Sequence, residues 1–273
     1  MSRRRIWIVA DDYGLSPAVD DGILELLDQG RLSGTGCMTV FPDWTQEAAR
    51  LREQHDSRAG IHLTLTDQPS LSGAATLARD GRLPSLAKLL KGVAMGQITD
   101  SDIAAELDAQ LVHFEDTFGK PPLYIDGHQH VHFLPPARRW LKALVGRDRQ
   151  PLPWLRGTPI AKYSPKVSFA KIATVRALAS RFDKTMGAAG YPVSGPLAGF
   201  YDWRTGDDFA PTIDHAVRTL PDGGVLMVHP GHVDQTLRSR DILTDTRTAE
   251  LRYLASDTFI RALDETDAVI ATP

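Results

Sequence analysis

Along the chain, short apolar runs rich in β-branched residues alternate with longer stretches whose apolar positions recur at helical spacing. Residues 6–10, Ile-Trp-Ile-Val-Ala, are continuously apolar, the pattern of a strand covered on both faces. Ser16 and Pro17 then open a helix, because Ser is a good N-cap and Pro suits the first helical turn. Val19, Ile23, Leu24, Leu26 and Leu27 line its apolar side, and Gly30 stops it. The same reading predicts strands over 37–41, 59–65, 123–126, 154–156 and 225–228. It predicts helices over 44–52, 100–118, 136–145, 168–182, 214–220 and 247–263. In the second of these, Ile103, Leu107, Leu111 and Phe114 form one stripe. Strand–helix alternation predicts an α/β fold, a parallel sheet wrapped by helices as a barrel or an open doubly wound sheet. The preferred reading is an irregular (β/α) TIM-like barrel forming a single domain over residues 1–273, a common length for such a unit. Residues 66–97, Tyr163 and residues 187–209 fit no regular pattern, and long loops of this kind suit a substrate-binding rim.

Composition narrows the function. With 42% apolar and 24% charged residues the chain is ordinary globular protein, and 31 basic against 34 acidic residues leave a net charge of -3. Such a chain lacks the broad positive field of a nucleic-acid binder. The single cysteine, Cys37, excludes an intrachain disulfide and a Cys-rich zinc cage. The basic start is followed by too short an apolar run for a signal peptide. No apolar run approaches the roughly 18 residues of a membrane span. A soluble cytoplasmic protein without an integral membrane segment is therefore expected. A G-x-S-x-G elbow, a P-loop and a Rossmann glycine fingerprint are all missing from the sequence.

Ionisable residues gather where the strands would end. Asp11-Asp12 follows the first strand, and His62 lies inside Gly60-Ile-His-Leu-Thr-Leu-Thr. Asp126-Gly-His128-Gln-His130-Val-His132 follows the fourth strand, and His229-Pro-Gly-His232 a late one. In parallel α/β folds the strand C-termini share one rim, where active sites are built. Ser16 already caps the helix, so the two carboxylates have no structural task there. Adjacent residues of an extended chain point to opposite sides, which would let one carboxylate bind a metal and the other reach a nearby water. Like charges so close are also expected to separate their pKa values. His62 stands among Ile61, Leu63 and Leu65, where a packed core histidine and a metal ligand are both open. His128, His130 and His132 alternate and would share one face of an extended segment, costly to bury without ligands. A surface histidine tract is the alternative. His229 reads as a packed strand-end residue or as a general acid. Cys37, in an apolar strand with no base beside it, reads as structural. Tyr201 and Trp203 are core candidates or platforms for a sugar ring.

Taken in order, these four segments resemble the YdjC-like carbohydrate deacetylases, a family that includes chitooligosaccharide and hopanoid-associated deacetylases. The resemblance runs from about residue 5 to about residue 263. Tyr13 replaces the family's usual Phe, and Gly127 stands where the family usually has Ser. The resemblance implies an irregular (β/α) barrel that hydrolyses the acetamido group of an N-acetylated sugar and releases acetate. It implies that Asp12, His62 and His128 hold a divalent metal, that Asp11 is the general base and that His229 is the acid beside the departing amine. Magnesium (Mg2+) is what the family implies, whereas two imidazoles and one carboxylate suit Zn2+ or Co2+ better. A homodimer is a family-level implication.

Two other functional classes stay open on the residues. His128-Gln-His130 resembles the H-x-H pair of metal-dependent amidohydrolase and phosphoesterase barrels, although there it follows the first strand and here the fourth. A non-catalytic carbohydrate-binding protein with a structural metal is the other, though structural sites are usually closed by four protein ligands.

Overall fold

The computed structural model describes residues 3–147, 151–160, 162, 169–203 and 208–273. The chain opens with β1 (Arg4–Tyr13), α1 (Pro17–Asp28), β2 (Gly34–Cys37), α2 (Trp44–His55) and β3 (Ala59–Leu63). Next come α3 (Leu86–Ala94), α4 (Asp100–Phe118), β4 (Tyr124–Gly127), α5 (Pro135–Val145) and β5 (Trp154–Arg156). Helices α6 (Phe169–Leu178) and α7 (Phe182–Ala188) precede β6 (Val193–Ser194), β7 (Leu197–Ala198), α8 (Phe209–Thr219) and β8 (Val225–Val228). The chain ends with α9 (Gln235–Arg240), α10 (Asp245–Ala255), α11 (Asp257–Glu265) and β9 (Ala268–Ile270). The strands pair in parallel in the order β6-β5-β4-β3-β2-β1-β8-β7, with β9 beside the start of β1. The ring closes through Leu197, whose N–H donates to Thr158 O (3.0 Å) just beyond β5. The protein is a single-domain α/β barrel of irregular outline.

Alternation along the strands decides what faces the barrel axis. Ile6, Ile8 and Ala10 of β1 pack into the large layer shared with the helices. Val9 instead joins Tyr124, Trp154, Leu197, Val225 and Met227, with Trp7 against them. The Trp7 and Trp154 rings lie 5.2 Å apart although β1 and β5 are not neighbours in the sheet, so this second cluster fills the interior. The period of two then sets the next inward position on each strand. Asp11 follows Trp7 and Val9, Asp126 follows Tyr124, Arg156 follows Trp154, and His229 follows Val225 and Met227. A layer of ionisable groups therefore sits directly on an apolar and aromatic plug. Two glycines make room for it. A Cβ at Gly60 would lie 2.3 Å from the Tyr124 ring, and one at Gly36 would lie 3.2 Å from His62.

The helices follow their local signals. Ser16 Oγ accepts from Val19 N (3.3 Å) with Pro17 at the first position of α1. Thr99 caps α4, and left-handed Gly119 closes it. Elsewhere tertiary context overrides the pattern. The strand expected over 37–41 is instead Gly34–Cys37. The close approach of β3 demands small residues there: a Cβ at Gly34 would lie 2.5 Å from Arg58 O. The helix expected over 247–263 is two, because extended Ser256 ends α10 and caps α11 through Phe259 N (3.3 Å). The helix expected over 168–182 also divides, at left-handed Arg181. Residues 66–97 contain α3, and residues 187–209 contain β6 and β7. Ser168, Tyr163 and residues 204–207 lie outside the described residues. Among the described residues no helix is long and apolar enough to cross a membrane.

Candidate active site

Asp11 and Asp12 end β1 at a bulge. Ala10 pairs with Thr35 and Tyr13 with Cys37, so three steps on β1 match two on β2. Asp12 absorbs the extra residue at φ 72°, a left-handed conformation that Asp tolerates better than most residues. The expectation that the two carboxylates point to opposite sides is thereby corrected, since the turn at Asp12 brings both to the barrel mouth. Gly14 N donates to Asp20 Oδ1 (2.6 Å), which ties down the turn that follows.

Asp12 Oδ1 lies 3.1 Å from His128 Nδ1 and 3.4 Å from His62 Nε2. Asp12, His62 and His128 thus offer one ligand atom each, all within 4.8 Å of one another. Asp12 Oδ2 is turned away and accepts from Arg247 Nη2 (2.7 Å). His62 Nδ1 hydrogen-bonds to Asp126 Oδ1 (2.6 Å), leaving Nε2 toward Asp12. A carboxylate behind a histidine is the usual way to orient a metal-ligating imidazole. A second group, Asp11, His62 and Asp126, is as compact. Its carboxylates already have a cation, because the Arg156 guanidinium pairs with both. The first group is therefore the better fit for a metal.

Charge supports that fit. Three buried carboxylates, Asp11, Asp12 and Asp126, face two buried guanidiniums, Arg156 and Arg247. Burial opposes ionisation of Asp11, yet Arg156, helped by His62 and His229, holds its pKa down at about 2. Asp12 is likewise held well below the carboxylate range, against burial, by Arg247, His128 and His62. Neither member of the adjacent pair is thus pushed up by its neighbour, because each carboxylate has its own arginine. The missing positive charge falls on His62. Burial disfavours its imidazolium, but Asp126, Asp11 and Asp12 raise its pKa to about 9. A divalent ion would supply that charge instead.

His229 lies across from this group, its Nε2 3.8 Å from Asp11 Oδ2. Burial lowers its pKa to about 4 against the pull of Asp11 and Asp12. The three alternating histidines do not share a face. Residues His128–Phe133 form a 3-10 turn in which Gln129 and His130 have φ 50° and 61°, so only His128 joins Asp12. His132 is fully buried against Phe133 and Phe182. His130 packs on Phe200, with ring centroids 5.1 Å apart. Tyr201 is buried and donates to Glu250, so it offers no sugar platform. Trp203 is only partly buried and stands edge-on to His229, with centroids 5.4 Å apart. Cys37 is buried, and burial pushes its thiol well up.

Sequence reasoning placed Asp126 at a strand end without giving it a role, and it missed Arg156, Arg247 and Glu250. Arg156 had a signal: it stands two places after Trp154, as Asp11 stands two places after Val9. Arg247 lies at helical spacing with buried Leu251 and Leu254, an arginine on an apolar stripe.

Fold and site together define an α/β-barrel protein with a carboxylate and two imidazoles gathered at the barrel mouth. Residues 5–265 match the model of the YdjC-like protein family, and the chain belongs to that family. It is 29% identical over 267 residues to the carbohydrate deacetylase of Geobacillus stearothermophilus, covering 96% of this chain and 94% of that one. It is 29% identical to the chitooligosaccharide deacetylase of Enterobacter sp. (strain 638), covering 94% and 92%. The human carbohydrate deacetylase is 33% identical over 138 residues, 49% of this chain and 42% of its own length. Among solved structures, a candidate cellobiose-phosphate cleavage protein of Enterococcus faecalis V583 shares the fold. Its TM-score is 0.75 at 20% identity, covering 99% of this chain and 98% of that one.

Proposed function

We propose that the protein is a metal-dependent hydrolase that removes the acetyl group from an N-acetylated sugar, an N-acetylglucosamine-type oligosaccharide or glycoconjugate. The observation that carries this reading is the placement of Asp11 and His229 beside the Asp12–His62–His128 group. Relatives named as deacetylases along nearly their whole length support the substrate class.

In this reading Asp12 Oδ1, His62 Nε2 and His128 Nδ1 hold one divalent cation. Two imidazole nitrogens suit Zn2+ or Co2+ better than Mg2+. Such an ion, when bound, polarises the acetamido carbonyl and acidifies its water. Asp11, kept ionised and oriented by Arg156, takes a proton from the attacking water. His229 is neutral before reaction, so it delivers a proton acquired during turnover, and Asp11 at 3.8 Å is its donor. The proton goes to the departing sugar nitrogen, leaving acetate and a free amine. Trp203, edge-on to His229, supplies a face for the sugar ring. The loop within residues 66–97 forms part of the substrate rim, where Gln129 Nε2 reaches Asp67 Oδ2 (3.4 Å).

The test is acetate release from a panel of N-acetylglucosamine oligomers and acetylated glycolipids, with metal content measured on the same sample. Chelation should abolish release and added Zn2+, Co2+ or Mg2+ should restore it. Release that survives complete metal removal would overturn the metal-dependent mechanism, and no release from any acetylated glycan would overturn the substrate class.

A further inference from the structure

Helix α10 carries two fully buried ionisable side chains one turn apart, and both reach the site from outside the barrel. Arg247 is 1% exposed and Glu250 0%. Their spacing of three residues puts them on one face. Arg247 Nη2 donates to Asp12 Oδ2 (2.7 Å) and to Asp241 Oδ2 (2.7 Å). Glu250 Oε2 accepts from the backbone N–H of His229 (2.5 Å), and its Oε1 accepts from Tyr201 Oη. The backbone of α10 joins in, since Gly231 N donates to Arg247 O (3.2 Å).

Neither side chain is explained by helix stability. Arg247 lies in the first turn, where the helix dipole disfavours a cation. Burying charged groups is seldom more stabilising than apolar packing of the same volume. What the pair achieves is geometric. It ties the end of β1, at Asp12, to the end of β8, at His229, and to the segment after β7, at Tyr201.

We infer that α10 is the positioning element of the reaction, with Glu250 fixing His229 while Arg247 fixes Asp12. Glu250 is a positioning residue, because it touches the His229 backbone and Tyr201 rather than the reacting atoms. The inference rests on the reading of His229 as the group that delivers the proton.

The test compares Glu250→Ala with Glu250→Gln. Loss of a hydrogen bond to a carboxylate should lower kcat by about 10- to 100-fold in Glu250→Ala, with KM within about threefold. Metal stoichiometry should stay unchanged. Glu250→Gln should recover most of kcat, because its carboxamide oxygen still accepts from the His229 N–H and its amide turns to the Tyr201 oxygen. A readout independent of turnover is hydrogen exchange at the His229 amide. Exchange should quicken at least tenfold in Glu250→Ala, stay slow in Glu250→Gln and leave the rest of β8 unaffected. If Glu250→Ala does not fold, Tyr201→Phe removes one of the two bonds and should lower kcat a few-fold. An unchanged kcat in the variant tested would overturn the inference, as would unaltered exchange at His229 in Glu250→Ala. So would equal impairment in Glu250→Gln and Glu250→Ala. If exchange responds as expected but the wild-type protein releases no acetate, the geometry stands and the deacetylase reading fails instead.

Discussion

Arg156 on β5 and Asp11 on β1 meet across the barrel interior, with three strands between them in the sheet, through two parallel guanidinium–carboxylate contacts. The same guanidinium also pairs with Asp126, so one cation holds together the inward layer of three strand ends. Removing one member of such a buried group leaves charge that neither water nor protein compensates.

Arg156→Met should therefore destabilise the fold by about 3–5 kcal/mol, because it strands two carboxylates in the interior. Arg156→Lys should recover only part of this loss, since an ammonium cannot reproduce the bidentate contact. Urea unfolding of the three proteins measures it. Equal midpoints would mean that the carboxylates find another partner.

The same pair sets a pH dependence. Asp11 has a folded pKa of about 2, below the unfolded value of about 3.9. A depressed carboxylate pKa stabilises the native state above the unfolded value, and this stability is lost as pH falls from about 4 to about 2. Urea midpoints should fall across that window and fall less steeply in Asp11→Asn. Parallel acid profiles for the two proteins would contradict the assignment.

His62 titrates in the opposite sense. Its folded pKa of about 9 lies above the usual value of about 6.5, so its contribution to the cation-free protein is complete below about 6.5 and lost as pH rises through about 9. Ligation requires the neutral imidazole. Binding of a divalent cation at pH 7 should therefore release close to one proton from His62, read by calorimetry in buffers of different ionisation enthalpy. Cation binding without proton release would place the ion elsewhere.

Metal retention and turnover should separate by residue. His128→Ala should lose metal stoichiometry while staying folded, as circular dichroism and elemental analysis would show. Asp11→Asn should keep its metal and lose roughly 10²- to 10⁴-fold in kcat, the usual worth of a general base. Full metal content in the first variant, or normal turnover in the second, would reassign the roles.

Gly60→Ala probes the plug beneath the site. Its Cβ would sit 2.3 Å from the Tyr124 ring, a fully buried side chain of the interior cluster. A loss of about 1–3 kcal/mol is expected from overpacking, measured by thermal unfolding. A neutral effect would show that Tyr124 has room to retreat.

The sequence carried most of the architecture in its local signals. Ser16-Pro17 opens α1, α4 runs from Asp100 to Phe118 as its stripe requires, and β5 and β8 fall where apolar runs place them. The shared C-terminal rim of parallel strands gathered the segments that hold Asp12, His62 and His128, while the choice of those three residues came from the family resemblance. What it hid depends on backbone angles and non-local pairing. The left-handed Asp12 cannot be read from an alternation rule, and neither can the turn at Gln129 and His130 that separates His128 from the later histidines. Glycines 34 and 36 look like poor strand formers until β3 and His62 are placed beside them. Arg247 stands out only as an arginine on an apolar stripe, and its site partner Asp12 lies 235 residues away. Glu250 reaches His229 from 21 residues on, so the local pattern names neither partner.

The aromatic plug formed by Trp7, Tyr124 and Trp154 has a consequence for traffic. With the floor stoppered there, the deacetylation proposed above would bring sugar and water in, and let acetate out, at the mouth where the strands end. In that reaction the product nearer the floor would leave after the one nearer the entrance, which product-inhibition patterns would reveal.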